Sequence, residues 1–171
     1  MHSLSYHLMV VLLPLILSNV LHLLVIKSNS FAYLKHPISD QTFGANKTWR
    51  GFIFVPMTNA LVLNVVDLTF NLGLTNPYGV GALLGLAYML FELPNSFIKR
   101  RLGIRPGGQS NSNPILFSLI DKTDSAFGVS LIYYVLGYAD FTSVLLLFIC
   151  SSVTHVLMSK LLVQLKLKTS F

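Results

Sequence analysis

Long apolar stretches separated by short polar connections dominate the chain. Five of these stretches have the length that a helix needs to cross a membrane. They are Leu8 to Ile26, Phe52 to about Leu74, Tyr78 to about Pro94, Pro114 to about Leu136, and Phe141 to about Val163. The pattern predicts an all-α fold, a polytopic membrane helix bundle of about five transmembrane helices that forms one domain over residues 1–171.

Composition agrees with this class of protein. Apolar residues make up 53% of the chain, charged residues only 11%, and the mean hydropathy is +0.67, which is too apolar for a soluble domain of 171 residues. The net charge of +6 fits an anionic lipid bilayer or a phosphorylated substrate better than nucleic acid, because the basic residues group between the apolar stretches.

The distribution of Lys and Arg predicts the orientation of the bundle. Basic residues occur in the connection Lys27 to Arg50, in Lys99 to Arg101 with Arg105 of the polar loop Gly103 to Asn113, and in the tail with Lys166 and Lys168. The short turns Asn71 to Tyr78 and Gly137 to Asp140 contain no Lys or Arg. The positive-inside rule then places the N-terminus outside and the basic loops and C-terminus in the cytoplasm, in the cell (inner) membrane. The first stretch reads as a retained helix and not as a signal peptide, since no Lys or Arg precedes it.

Two aspartates interrupt the fourth stretch. Asp121 and Asp124 are spaced i and i+3, which places both on one helix face. One acid at bilayer depth costs about 2.5 to 3.5 kcal/mol on insertion scales, so the pair implies a compensating cation or a water-filled cavity. Both are therefore candidate metal ligands. A structural ion pair with Lys122 is the alternative, but adjacent helical residues point about 100° apart.

Two further polar clusters are predicted to meet these aspartates at the cytoplasmic ends of the spans. One is Asn46 to Arg50 and the other is Glu92 to Arg101. Carboxylates suit Mg²⁺, which keeps several waters and bridges substrate phosphates, and the basic side chains suit the phosphates themselves. Lys99 to Arg101 would equally serve as a topology signal that contacts lipid headgroups. If the third helix continues through Pro94, one face carries Glu92, Asn95, Ser96 and Lys99.

Other polar and small positions have structural interpretations. His22 is expected to be an interfacial or packed neutral histidine, Asp67 an interfacial or hydrogen-bonded carboxylate, and Trp49 an interfacial anchor. Gly81 and Gly85 allow a close helix contact, either within the bundle or across a homodimer.

Three strings resemble one family, the CDP-archaeol synthases and their bacterial relatives within the wider group of CTP-dependent CDP-diacylglycerol synthases. The strings are Phe43 to Phe52, Glu92 to Gly103, and Asp121-x-x-Asp124-Ser125. The resemblance implies transfer of a cytidylyl group from CTP to a membrane lipid phosphate with Mg²⁺ as cofactor, and it assigns no clear role to Asp40. It implies metal binding by Asp121 and Asp124, binding of the triphosphate or lipid phosphate by Lys47, Arg50, Lys99 and Arg100, and a polar lining of Asn46, Thr48, Glu92, Asn95 and Ser96.

Two other classes of membrane protein compete with this interpretation. A small transporter or ion-coupled carrier would also place acids within spans, but it predicts polar residues in both halves of the membrane. A CDP-alcohol phosphotransferase would carry a longer array of aspartates than this sequence has. The apolar walls do not distinguish acyl, archaeal ether and polyprenyl chains.

Overall fold

The structure, a computed structural model, describes residues 2–108 and 114–165. These residues form a bundle of five long helices with no strand, which confirms the all-α prediction. The predicted basic positions Lys166 and Lys168 and the end of the second polar loop at Asn113 lie outside the described residues. The helices are α1 (Leu4–Lys27), α2 (Trp49–Phe70), α3 (Pro77–Arg101), α4 (Pro114–Val135) and α5 (Phe141–Gln164).

Four of these helices, α1, α2, α3 and α5, are long and apolar enough to cross a membrane. They indicate an integral membrane protein. The fourth predicted span, α4, has 22 residues but carries Asp121, Lys122 and Asp124 near its middle, which lowers its hydropathy. Because α4 packs between α3 and α5, its charged side chains can be satisfied inside the bundle instead of in lipid.

Polar side chains define the ends of the helices away from the basic loops. The side chain of Asn76 accepts the backbone N–H of Gly79 at 2.9 Å at the start of α3, and Asp140 caps α5 in the same way. After α2, the carboxylate of Asp67 accepts the backbone N–H of Leu74 at 3.0 Å. Asp67 is thus a hydrogen-bonded carboxylate, one of its two predicted roles.

A buried histidine anchors α1 at this same end. Nδ1 of His7 lies 3.0 Å from the hydroxyl of Tyr133 in α4, and both side chains are buried. This contact holds the first turns of α1 against the last turns of α4. The end of α1 therefore lies at the opposite end of the bundle, together with the start of α2, the end of α3 and the first half of α4.

Two glycines bring α2 and α3 into close contact. A Cβ atom on Gly81 would lie 2.7 Å from the Cα atom of Ala60, and one on Gly85 would lie 2.7 Å from that of Pro56. Neither helix backbone can give way to a side chain at that distance. The Gly81 and Gly85 pair is therefore used inside the bundle, the first of its two predicted uses, and a homodimer stays a prediction.

Gly85→Val should destabilise the fold by about 1 to 3 kcal/mol or more, because the new side chain would force α2 away from α3. Thermal or denaturant unfolding in detergent measures the loss. Leu83→Val introduces the same side chain into the same helix at an exposed position and should have little effect. Equal stability of the two variants would contradict the close packing.

Candidate functional site

The connection between α1 and α2 folds back on itself and fixes Lys47. The backbone N–H of Ile38 donates to the carbonyl of Lys47 at 2.8 Å, and the N–H of Trp49 donates to the carbonyl of His36 at 3.1 Å. An antiparallel bridge between Pro37 and Thr48 lies between these two bonds. Lys47 therefore lies at the base of a loop that these hydrogen bonds close. The helix α2 begins two residues later, at the half-exposed Trp49.

Lys47 forms an ion pair with Glu92 of α3. The two side chains are 18% and 19% exposed, so the pair is shielded from water. It joins the base of the loop to the third helix, 45 residues further along the chain. Ser96, which shares the helix face of Glu92, instead donates its hydroxyl to the backbone carbonyl of Glu92 at 2.8 Å.

The two aspartates of α4 face α3, as the spacing predicts. Nδ2 of Asn95 donates to Oδ1 of Asp121 at 2.6 Å and to Oδ2 of Asp124 at 2.9 Å. Since both carboxylates accept from one nitrogen, they lie side by side. The ammonium of Lys99 pairs with the carboxylate of Asp121, with Nζ 2.6 Å from Oδ1. The ion pair of Asp121 is thus made with α3.

This arrangement depends on α3 continuing through Pro94, which it does. One helix face then carries Glu92, Asn95 and Lys99 at successive turns, and all three contact the polar cluster. Asn95 and Lys99 are buried, whereas the side chain of Asp121 is 39% exposed. The cluster is therefore buried on its α3 side and partly accessible at Asp121.

The described contacts of the cluster leave one carboxylate paired only with neutral groups. Glu92 pairs with Lys47 and Asp121 pairs with Lys99, but Asp124 accepts from the Asn95 amide and from the Ser125 backbone N–H at 2.6 Å. A cation beside Asp124 would balance this charge.

Adjacent carboxylates of this kind fit a divalent cation. Within residues 2–108 and 114–165, no group of three or more His, Cys, Asp or Glu side chains is arranged so that it could hold a metal ion. Two carboxylates suffice for Mg²⁺, whose remaining positions are commonly taken by water and substrate phosphates. Asp121 and Asp124 are the residues that would hold the ion.

The predicted arginines make their described contacts outside this cluster. Nη1 of Arg50 donates to the carbonyl of Ser30 at 3.2 Å, beyond the end of α1. Nη1 of Arg100 lies 3.3 Å from the position that a Cβ atom on Gly44 would take, under the first polar loop. Both guanidinium groups keep buried nitrogens without a hydrogen-bond partner among the described residues. Neither has a described contact with Asp121 or Asp124.

Other predicted residues of the polar lining have weaker links to the cluster. Asn46 is exposed, with Nδ2 near Gly107 of the second polar loop. Thr48 occupies the N-cap position of α2, but its side chain makes no capping hydrogen bond. Asp40, to which the resemblance assigns no clear role, begins a one-turn helix, Asp40–Phe43, and is exposed.

Comparison with known proteins places the chain in a family. The family model CarS-like, described as CDP-archaeol synthase, matches residues 1–171. The chain belongs to this family. The predicted resemblance, made from three strings that all lie at one end of the bundle, is thereby confirmed.

Curated members of the CarS-like family provide more local comparisons. A CDP-archaeol synthase from Staphylothermus marinus is 33% identical over 105 residues, which cover 59% of this chain and 52% of that protein. One from Hyperthermus butylicus is 32% identical over 107 residues, 61% of this chain and 57% of that protein. The chain thus spans about half the length of the curated relatives it matches. No solved structure matches it.

Sequence reasoning missed a polar stripe on α5. Ser151, His155 and Ser159 are spaced i, i+4 and i+8 and line one internal cavity, so helical periodicity would have found them. Nδ1 of His155 lies 3.0 Å from the carbonyl oxygen of Lys122 in α4. His22 of α1 lines the same cavity, packed against the start of α2, in keeping with the predicted packed histidine.

Proposed function

We propose that this member of the CarS-like family is a CTP-dependent cytidylyltransferase that converts a membrane lipid phosphate to a CDP-lipid and pyrophosphate. The observation that carries the proposal is the cluster in which Asn95 and Lys99 of α3 hold Asp121 and Asp124 of α4 side by side. The family model and the names of the relatives support the same reaction.

The reaction needs no covalent intermediate with the protein. An oxygen of the lipid phosphate attacks the α-phosphorus of CTP, and the bond from that phosphorus to the oxygen bridging to the β-phosphate breaks. The bond electrons leave with pyrophosphate. Because the nucleophile is already an anion, we expect the enzyme to work by positioning the two phosphates and neutralising their charge.

Mg²⁺ is the proposed cofactor, and Asp121 and Asp124 are its proposed ligands. When bound, the ion would offset negative charge on the phosphates. Lys47 and Lys99 supply ammonium groups to the cluster, and each is paired with a carboxylate in the described structure. We propose that both turn toward the triphosphate when CTP binds. Arg100, with unpaired buried guanidinium nitrogens, would extend this basic surface toward the loops.

We propose the membrane placement from the charge pattern. The polar cluster and the first basic loop lie at the same end of the bundle, which supports an active site that faces the cytoplasm. A transporter would need polar groups along a path to both ends, whereas these groups gather at one end. The relatives are named CDP-archaeol synthases, so an archaeal ether lipid phosphate is the first substrate to test.

Incorporation of labelled CTP into an organic-extractable product tests the proposal directly. Purified protein with Mg²⁺ should label at least one of a dialkyl ether glycerol phosphate, phosphatidic acid and polyprenyl phosphate, and EDTA should stop the reaction. The ranking of the three lipids defines the chain chemistry. Absence of transfer to all three would refute the enzyme assignment, and ion or solute flux into proteoliposomes without CTP would favour the carrier.

A further inference from the structure

A cavity of about 170 Å³ lies inside the bundle between α1 and α5. Tyr88 of α3 and Ser125 and Ala126 of α4 form its floor, and its side walls are mainly apolar. The first turns of α1, Leu4–His7, pack against α5, whereas Leu13–Lys27 packs against α2. The gap between α1 and α5 therefore opens toward the end of the bundle that carries the polar cluster. We call this gap the α1/α5 cleft.

The floor of the α1/α5 cleft adjoins the polar cluster. Ser125 directly follows the candidate metal ligand Asp124, and Tyr88 lies one helical turn before Glu92. A molecule in the cleft would thus have one end beside the proposed catalytic groups. Its other end would lie among apolar side chains that continue to the lipid-facing surface of α1 and α5.

Buried polar atoms without partners mark the inner end of the cleft. His22 lines the cavity, and its buried Nε2, which lies near Gly51 of α2, makes no hydrogen bond with the described residues. Arg50 lies behind His22 and is not among the described residues that line the cavity; it is 4% exposed and has a buried, unpartnered Nε. Arg50 is close enough to interact electrostatically with His22. Such groups cost free energy unless a ligand supplies their partners.

We infer that the α1/α5 cleft binds the acceptor lipid of the proposed reaction, with its phosphate on Arg50 and His22 and its hydrocarbon chains leaving between α1 and α5. The inference rests on the proposed function and divides the basic residues between the two substrates. Lys47 and Lys99 face the carboxylates and serve the nucleotide. Arg50, which has no described contact with those carboxylates, offers the bidentate donors that suit a phosphate monoester.

The shape and chemistry of the cleft favour a lipid over a second soluble substrate. Apolar residues such as Leu15, Ile16 and Val129 line the part of the cavity furthest from the basic loops. A cavity of this size takes the glycerol end and the first methylene groups of a chain. The remaining chain would stay in the bilayer, which is reached through the gap between α1 and α5.

Direct binding separates this inference from the reaction. Native mass spectrometry of the purified full chain in detergent would measure retention of a dialkylglycerol phosphate and of the phosphate-free dialkylglycerol. Arg50→Gln and His22→Phe should each weaken binding of the phosphate lipid by about 10- to 100-fold. In the same two variants, the affinity for Mn²⁺ together with CTP should stay within about twofold of that of the wild-type protein. Arg105→Gln, an exposed arginine on the second loop, is the matched control and should bind the lipid normally.

Filling the cavity tests its apolar part. Ala126→Phe on α4 and Ile16→Phe on α1 should both lower retention of the dialkylglycerol phosphate, whereas Leu157→Phe on the exposed face of α5 should not. The two filling variants come from different walls, so one serves if the other does not fold. Wild-type lipid binding in Arg50→Gln and in a folded filling variant, with cytidylyl transfer intact, would overturn the cleft alone. A second outcome would overturn the proposed function alone. In that outcome the wild-type protein shows no transferase activity, yet it binds the phosphate lipid and the variants lose this binding.

Discussion

Asp121→Asn and Asp124→Asn are each expected to lower CDP-lipid formation by about 10²- to 10³-fold, because each removes a negative charge and one ligand oxygen from the proposed Mg²⁺ site. The amide keeps the size of the side chain, and Asn95 can still donate to the remaining carbonyl oxygen. Labelled CTP incorporation at saturating lipid measures the loss, and thermal unfolding in detergent shows that the variants fold.

Asp67→Asn is the matched control for both substitutions. It makes the same chemical change at the opposite end of the bundle, where the remaining carbonyl oxygen can still accept the N–H of Leu74. We expect nearly full activity in this variant. Wild-type turnover in either Asp121→Asn or Asp124→Asn would remove the metal assignment, since a carboxylate that holds a required ion cannot be neutralised without cost.

Lys99→Met should separate metal binding from turnover. In the described structure the ammonium of Lys99 rests on the carboxylate of Asp121, where it competes with a metal ion. Without this positive charge, Mn²⁺ should bind about tenfold more tightly in the absence of nucleotide. Transfer of the cytidylyl group should nevertheless fall by about 10²-fold, because the triphosphate loses a proposed ligand.

Calorimetry or electron paramagnetic resonance measures the affinity of Lys99→Met for Mn²⁺, and the labelled-CTP assay measures its cytidylyl transfer. Lys35→Met is the control, because it changes an exposed lysine on the first basic loop. It should alter neither Mn²⁺ affinity nor cytidylyl transfer by more than about twofold. Weaker Mn²⁺ binding by folded Lys99→Met would show that Lys99 supports the carboxylates instead of competing with the ion. Unchanged turnover would remove Lys99 from the proposed mechanism.

The fold was predictable because each helix follows from a local pattern. The apolar stretches define all five long helices, and α3 continues through Pro94 as the alignment of Glu92, Asn95 and Lys99 requires. The structure brings these three residues to the two aspartates of α4. Their meeting could be anticipated because i, i+3 and i+7 spacing fixes one face of a helix.

The sequence did not distinguish the basic residues from one another. Lys47 and Arg50 are three positions apart, yet Lys47 pairs with Glu92 while Arg50 contacts the carbonyl of Ser30 beyond α1. That difference arises because Lys47 still belongs to the loop and Arg50 already belongs to α2. Likewise, the partner of Asp121 is a lysine 22 residues away and depends on how α3 packs against α4, which no local pattern specifies.

The hydrogen bonds at the base of the first basic loop tie residues 36 and 38 to residues 47 and 49. The segment between them packs on the bundle, since Asp40–Phe43 contacts α3 and Gly44 lies against the side chain of Arg100. An epitope or fluorophore grafted into residues 40–44 would therefore press on α3 beside the proposed nucleotide surface. A label at the exposed Tyr33, before this segment, would avoid that contact.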